Sequence, residues 1–426
     1  LDMLWLALSI FIATILLVIF KPRPFNEAGA ICLGAILMFI LGLVPLSNIS
    51  QIFSANLNIL LFFLGLMLVS YFAELSGFFN SAVNLALKLS GGSSWRLLGL
   101  VFALGIVITM FMSNDATALL LTPVVFMLVS RYGLKPLPYI FACAFVANTA
   151  SFIFPFSNPV NLLAVDKFNL SLGEYTTYML IPSILAITIT IAIFYVVFRH
   201  DLRTGFSLVE TKAVASDRFS HSVRLVLIFL AAACLLTSFM GWPLAIPLML
   251  TAFILLGITS FYKKLDFNHL KHSVAWSILP FVLGLAFMVN GLENTGLTAT
   301  LGNFLSNTLA DGGQLEAGLI TSFGTAIGSN LINNWPMMMV SVSSLSAVSD
   351  IGGANSGLIY QAILGADLGP NLLIMGSLST MLWLILLRKR GLAIKPMEFT
   401  KLGLTITPLV LLVSTLAIFQ LGKLSS

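Results

Sequence analysis

Displaced by 219 residues, the sequence lays its polar intramembrane positions over one another without a gap. Phe62 meets Phe281, Leu64 meets Leu283, Gly65 meets Gly284, Leu66 meets Leu285, Glu74 meets Glu293 and Gly77 meets Gly296. The same register pairs Gly105 with Gly324, Asn114 with Asn333, Asp115 with Asn334, Ala147 with Ala366 and Asn148 with Asp367. A chain duplicated in this way folds as two like halves, and polar interruptions matched between them predict one shared site built from both.

The halves belong in a membrane. With 58% hydrophobic residues, 9% charged residues and a mean hydropathy of +1.03, the apolar surface exceeds what one soluble core hides. Crossing about 30 Å of hydrocarbon takes roughly 20 helical residues. Apolar runs of that order lie at 3–20, 26–44, 56–73, 175–198, 222–240, 244–262, 274–291 and 400–422, with long interrupted runs at 138–166 and 357–385. Residues 96–130 are split by Ser113-Asn114-Asp115, and 314–348 by the stretch from Asn330 to Pro336. Flanks of about 15 residues are too short to cross, so both segments are predicted to be re-entrant helical hairpins whose polar tips face protein or water. The alternative is one long tilted helix with a polar kink. The predicted fold class is therefore an all-α polytopic membrane protein, an inverted repeat with about ten transmembrane helices, two re-entrant hairpins and two broken helices. The first repeat takes residues 1–200, with scaffold spans over 3–73; a cytoplasmic linker takes 201–221; the second repeat takes 222–426, with scaffold spans over 222–291.

Five crossings per half turn the second half over. With both termini outside, all 21 Lys and Arg residues except Lys167 and Lys423 fall at cytoplasmic ends. The external stretches 45–56 and 292–313 contain neither residue type, whereas 199–224 and 386–401 are rich in them. The net charge of +5 thus reports orientation in a cell (inner or plasma) membrane, with the lipid bilayer as partner, and points to no nucleic acid. The first residues lack a cleavable signal pattern, so 3–20 is read as a retained span. Cys32, Cys143 and Cys234 lie in apolar spans without CxxC spacing, which suits packing rather than a disulfide framework or a metal site. No cofactor is expected.

All four histidines fall on cytoplasmic loops, and no Lys or Arg lies at mid-membrane. The ionisable residues left at depth are Asp115 and Asp367. A carboxylate there costs several kcal/mol, about 2.5–3.5 on insertion scales, so both are functional candidates by default. Their structural alternative is the capping of a broken helix. Neutral hydrogen-bonding groups surround them: Ser113, Asn114 and Thr117 at one tip, with Ser329, Asn330, Asn333 and Asn334 at the other. The first broken helix carries Asn148, Thr149, Ser151, Ser157, Asn158 and Asn161 beside Pro155 and Pro159; the second carries Asp367, Asn371, Ser377, Ser379 and Thr380 beside Gly369-Pro370. A helix broken at depth exposes N–H groups at one new end and C=O groups at the other. Four such ends make a polar pocket for a small oxygen-rich solute, and Asn amides both donate and accept. Glu74 and Glu293, at span ends before Gly77 and Gly296, read as a cap or turn.

These residues resemble the ion transporter (ArsB/NhaD) superfamily, and within it the arsenite efflux pumps called ArsB. The motifs are Phe111-Met112-Ser113-Asn114-Asp115, Ala147-Asn148-Thr149-Ala150-Ser151, Pro155 to Leu162, Asn333-Asn334-Trp335-Pro336, and Gly365-Ala366-Asp367-Leu368-Gly369-Pro370 followed by Gly376-Ser377-Leu378. The resemblance implies a scaffold domain and a mobile transport domain that export arsenite or antimonite. It also implies drive by the proton gradient alone or by a partner ArsA-type ATPase. Where relatives have Asp, this chain has Asn148, which leaves proton coupling to Asp115 and Asp367. The expected substrate-binding set is Ser113, Asn114, Asp115, Asn148, Thr149, Ser157, Asn158, Asn330, Asn333, Asn334, Asp367 and Ser377. The protein is read as a transporter and not an enzyme. The rivals are a sodium/proton antiporter or anion symporter on the same fold, an intramembrane aspartyl protease using the two Asp residues, and a passive channel.

Overall fold

The computed structural model describes residues 2–20, 26–203, 205–207, 217–311, 313–353, 355–392 and 394–425. Much of the expected linker 201–221 lies outside them, as do Lys21, Arg23 and Lys212, on which the orientation argument also draws. The described chain is helical, with no strand among the described residues.

The expected spans form helices with shifted ends. Asn48–Leu75 begins earlier than the apolar run and reaches 28 residues, whereas Glu27–Ile40 stops at 14, where Gly42 at φ 73 turns the chain. Asp2–Phe20, Leu172–Val197, Arg218–Phe239, Ala245–Phe261, Ile278–Asn294 and Pro396–Ser425 supply the other continuous rods.

Two further helices had no counterpart in the sequence reading. Phe78–Ser90 and Leu297–Ala310 begin 219 residues apart, just after Gly77 and Gly296, whose φ values of 72 and 80 suit glycine. The first buries Phe79, Val83, Ala86 and Leu87 along one stripe, the pattern of an amphipathic helix.

The duplication is visible in the packing. Asn48–Leu75 packs on Ala245–Phe261 of the other half, and its counterpart Ile278–Asn294 packs on Glu27–Ile40. Glycine permits both approaches: a Cβ on Gly65 would stand 2.8 Å from the Leu248 Cβ, and one on Gly284 2.8 Å from the Ile31 Cγ2. Leu172–Val197 likewise packs on its own counterpart, Pro396–Ser425. Two packing groups result. One holds the helices between Asp2 and Leu75 and between Arg218 and Asn294; the other holds the hairpins, the broken helices and the pair Leu172–Val197 with Pro396–Ser425.

Both polar-split segments fold back as hairpins. In the first, Ser94–Phe111 ends at Met112, and the chain resumes at Asn114 after Ser113 accepts from the Ala116 N–H. The arms are tied where Thr109 Oγ1 meets Thr117 Oγ1 at 2.8 Å. A π-helical turn over Thr117–Leu121 precedes Pro123, whose missing N–H and ring disturb the ordinary ladder. In the second, Gln314–Ile332 and Asn334–Leu345 meet at Asn333, and Thr325 and Ser341 join the arms at 3.1 Å. The long interrupted runs are broken as expected. Leu137–Thr149 gives way to irregular chain before Pro159–Asn161 and Leu162–Phe168, and Gly357–Leu368 is separated from Leu378–Lys389 by two short 3-10 turns.

Candidate functional site

Both hairpin tips reach one cavity of about 150 Å³. Ser113, Asn114 and Asp115 come from the first tip, Asn334 and Trp335 from the second, Asn158 from the first broken helix, and Ser377 and Ser379 from the second. The opposite wall is Asn48–Leu75, through Phe63, Ser70, Tyr71 and Glu74, with Phe281 and Val282. The cavity therefore lies between the two packing groups, toward the end of the bundle that carries Glu74 and Ser273.

Asp115 is only half-buried and presents its carboxylate here; Ser379 Oγ donates to its Oδ1. Asn334, the 219-residue counterpart of Asp115, is 2% exposed, and its Oδ1 has no hydrogen-bond partner among the described residues. A buried acceptor left without a donor is costly.

Asp367 sits behind this wall, 1% exposed. Its Oδ1 accepts from Asn158 Nδ2 at 2.5 Å and its Oδ2 from Asn161 Nδ2 at 3.1 Å. Asn161 also reaches the Ser151 carbonyl at 3.0 Å, and the Tyr175 hydroxyl donates to the Phe152 carbonyl at 3.2 Å. Beside it, Asn148 donates to Asn371 Oδ1 at 3.0 Å and Asn371 donates to Thr149 Oγ1 at 3.2 Å, so the two broken helices are laced together across the repeat.

The sequence-predicted residues thus divide. Ser113, Asn114, Asp115, Asn158, Asn334 and Ser377 line the cavity. Asn148, Thr149, Ser157, Asn330, Asn333 and Asp367 do not, and spend their polar groups on the framework. Asn330 donates to the Ala326 and Gly369 carbonyls at 2.8 Å each and accepts from the Leu373 N–H. Ser157 donates to the Met110 carbonyl and its own carbonyl accepts from the Asn114 N–H at 3.1 Å, which fixes the first tip to the broken helix. Asn333 accepts from the Trp335 N–H. Among the described residues, Asn158 both lines the cavity and donates to Asp367.

A second cavity of about 370 Å³ opens toward the opposite end of the same helices, lined by Gln51, Asn56, Ile59, Asp166, Lys167, Asn290, Glu293 and Met339 among others. Asp166 escaped the sequence reading because it closes the predicted span 138–166, where charge is inexpensive. It accepts from Asn58 Nδ2 at 2.7 Å, and Asn58 Oδ1 in turn accepts from the Ala245 N–H at 3.3 Å. That chain joins the two packing groups, and only its tertiary geometry shows it. No group of three His, Cys, Asp or Glu suited to a metal occurs among the described residues, and none of the three cysteines lines either cavity.

Paired repeat-related helices, with hairpin tips and broken helices that bring polar side chains to one cavity, define a polytopic membrane transporter. The sequence profile of the arsenical pump membrane protein family, ArsB, matches residues 6–421. An Escherichia coli arsenical pump membrane protein is 30% identical over 420 residues, covering 97% of this chain and 98% of its own. A putative arsenical pump membrane protein of Bacillus subtilis is 26% identical, covering 94% of this chain and 96% of its own. The fold matches the crystal structure of the Alcanivorax borkumensis YdaH transporter with a TM-score of 0.64 at 14% identity, over 99% of this chain and 97% of that one. The chain belongs to the arsenical pump membrane protein family, ArsB.

Proposed function

We propose that this protein exports trivalent arsenite or antimonite from the cytoplasm in exchange for protons, by alternating access. The observation that supports this most is a half-buried acid, Asp115, in a small cavity that also takes the amides of Asn114, Asn158 and Asn334 and the hydroxyls of Ser113, Ser377 and Ser379, against an apolar wall that includes Phe63, Phe281 and Val282, with Glu74 at one end. Near neutral pH arsenite is mostly uncharged As(OH)3, a solute with three O–H donors and oxygen lone pairs. Asp115, the amides of Asn114, Asn158 and Asn334 and the serines Ser113, Ser377 and Ser379, all lining the cavity, complement it.

An uncharged solute gains nothing from membrane voltage. A proton moving inward supplies about 2.3 kcal/mol per 100 mV, enough for roughly fifty-fold concentration work. Competition between proton and solute for Asp115, with Asp367 sensing occupancy through Asn158, is the simplest coupling. With the Glu74 end of the cavity at the cytoplasmic face, as the positive-inside rule favours, a solute would load into this cavity from the cytoplasm. The group holding hairpins and broken helices would then slide against the other group, as transport domain against scaffold. An ArsA-type ATPase, where present, would meet the basic loops at the same face. Growth of an arsenite-sensitive host on arsenite and on antimonite, with and without this chain, tests the reading. Rescue supports it; growth no better than that of the host alone, with the protein present in the membrane, removes it.

A further inference from the structure

Three helices pass from one cavity to the other at the same level. On Asn48–Leu75, Phe63 lines the first cavity and Ile59, one turn away, lines the second. Val282 and Ala286 divide in the same way, as do Trp335 and Met339 on Asn334–Leu345. The layer between the cavities is about one helical turn thick. Within it the Trp335 indole packs against the Phe63 ring, with centroids 5.0 Å apart. Both side chains are buried, at 8% and 2% exposure. The repeat does not duplicate this contact, because the counterparts of Trp335 and Phe63 are Ala116 and Val282, which both line the first cavity.

We propose that Trp335, packed on Phe63, is the seal that keeps the two cavities from joining into a continuous pore, and that it limits what crosses this layer. The inference rests on the transport reading only in taking both cavities as the solute path. Aromatic rings suit this role because they fill a large cross-section with few rotatable bonds. Replacing the indole by a methyl group opens the layer without touching Asp115 or Asp367.

The test uses the full chain in liposomes, with glycerol as a neutral polyhydroxylated probe and no arsenite or pH gradient. Light scattering after a glycerol jump reads passive entry. Wild type and Trp335→Phe are expected to stay as tight as protein-free liposomes, whereas Trp335→Ala and Phe63→Ala are expected to admit glycerol measurably faster. Size-exclusion profiles confirm that each variant is folded, and Trp335→Leu replaces Trp335→Ala if the latter aggregates. Tight liposomes for all folded small-residue variants would overturn the proposal. A leak in a protein that fails the arsenite growth test leaves the seal standing and removes only the transport reading.

Discussion

Asn158 donates its side-chain amide to Asp367 at 2.5 Å while lining the cavity that Asp115 faces. One amide therefore connects the acid that a solute reaches with the acid that it does not. Rotation of Asn158 toward a bound solute would withdraw its donor from Asp367, a direct physical link between occupancy and the buried carboxyl.

Substituting Asn158→Leu leaves Asp367 Oδ1 without that donor. A buried acceptor stripped of its partner costs about 1–3 kcal/mol. The thermal midpoint in detergent should fall, and arsenite uptake into vesicles should fall with it. A variant as stable and as active as wild type would contradict the link.

Asn333 joins the two arms of the second hairpin at φ 77 and ψ 152, a conformation that side-chain-bearing residues rarely adopt. Such strain costs of order 1–3 kcal/mol, whereas losing the cap to the Trp335 N–H in favour of glycine costs a few tenths. Asn333→Gly is therefore expected to raise the thermal midpoint and Asn333→Val to lower it, both measured by unfolding in micelles.

The hairpins were legible in the sequence because Ser113-Asn114-Asp115 and the stretch from Asn330 to Pro336 interrupt their apolar runs, although the first arms, Ser94–Phe111 and Gln314–Ile332, reach 18 and 19 residues and so exceed the expected flanks of about 15. What periodicity could not carry is the path of irregular chain. Asn148 and Asn158 look alike in the sequence as polar residues of one broken helix, yet the non-helical stretch 150–158 turns Asn158 to the cavity and leaves Asn148 bonded to Asn371. Asp166 and Asn58, 108 residues apart, carry no mutual signal. Phe78–Ser90 was hidden because its apolar stripe is too short to register as a span.

The Asn58–Asp166 hydrogen bond joins the two packing groups beside the second cavity, and the repeat-related positions, Ser277 and Ile385, lack the amide–carboxylate pairing. The bond accordingly favours the conformation seen here over its swapped counterpart. Asn58→Leu should shift the population toward opening of that cavity. A cysteine at Ser343, which lines it, should react faster with a membrane-impermeant thiol reagent added from outside. Unchanged reactivity would show that the bond holds nothing closed.

Outside the membrane, Asp217 caps Arg218–Phe239 by accepting from the Ser220 N–H and pairs with Lys264. The Lys264 bond first, and then the Ser220 bonds, hold its carboxyl down to about 2. A depressed carboxyl stabilises the fold above its unfolded value, near pH 4, and loses that contribution as pH falls through about 2. Exposure and salt screening keep the effect small. Asp217→Asn should therefore lower the thermal midpoint slightly and equally at pH 5 and pH 8, with the difference from wild type shrinking only below about pH 4. A penalty that changes between pH 5 and pH 8 would contradict this assignment.

The central claim is that the two acids couple proton entry to solute exit. Arsenite accumulation in inverted membrane vesicles, driven by an imposed interior-acid pH gradient, measures it directly. Wild type should accumulate arsenite and lose that accumulation when the gradient is collapsed, and the Asp115→Asn, Asp367→Asn double variant should show no gradient-driven accumulation. Accumulation by the double variant equal to that of wild type would contradict the account.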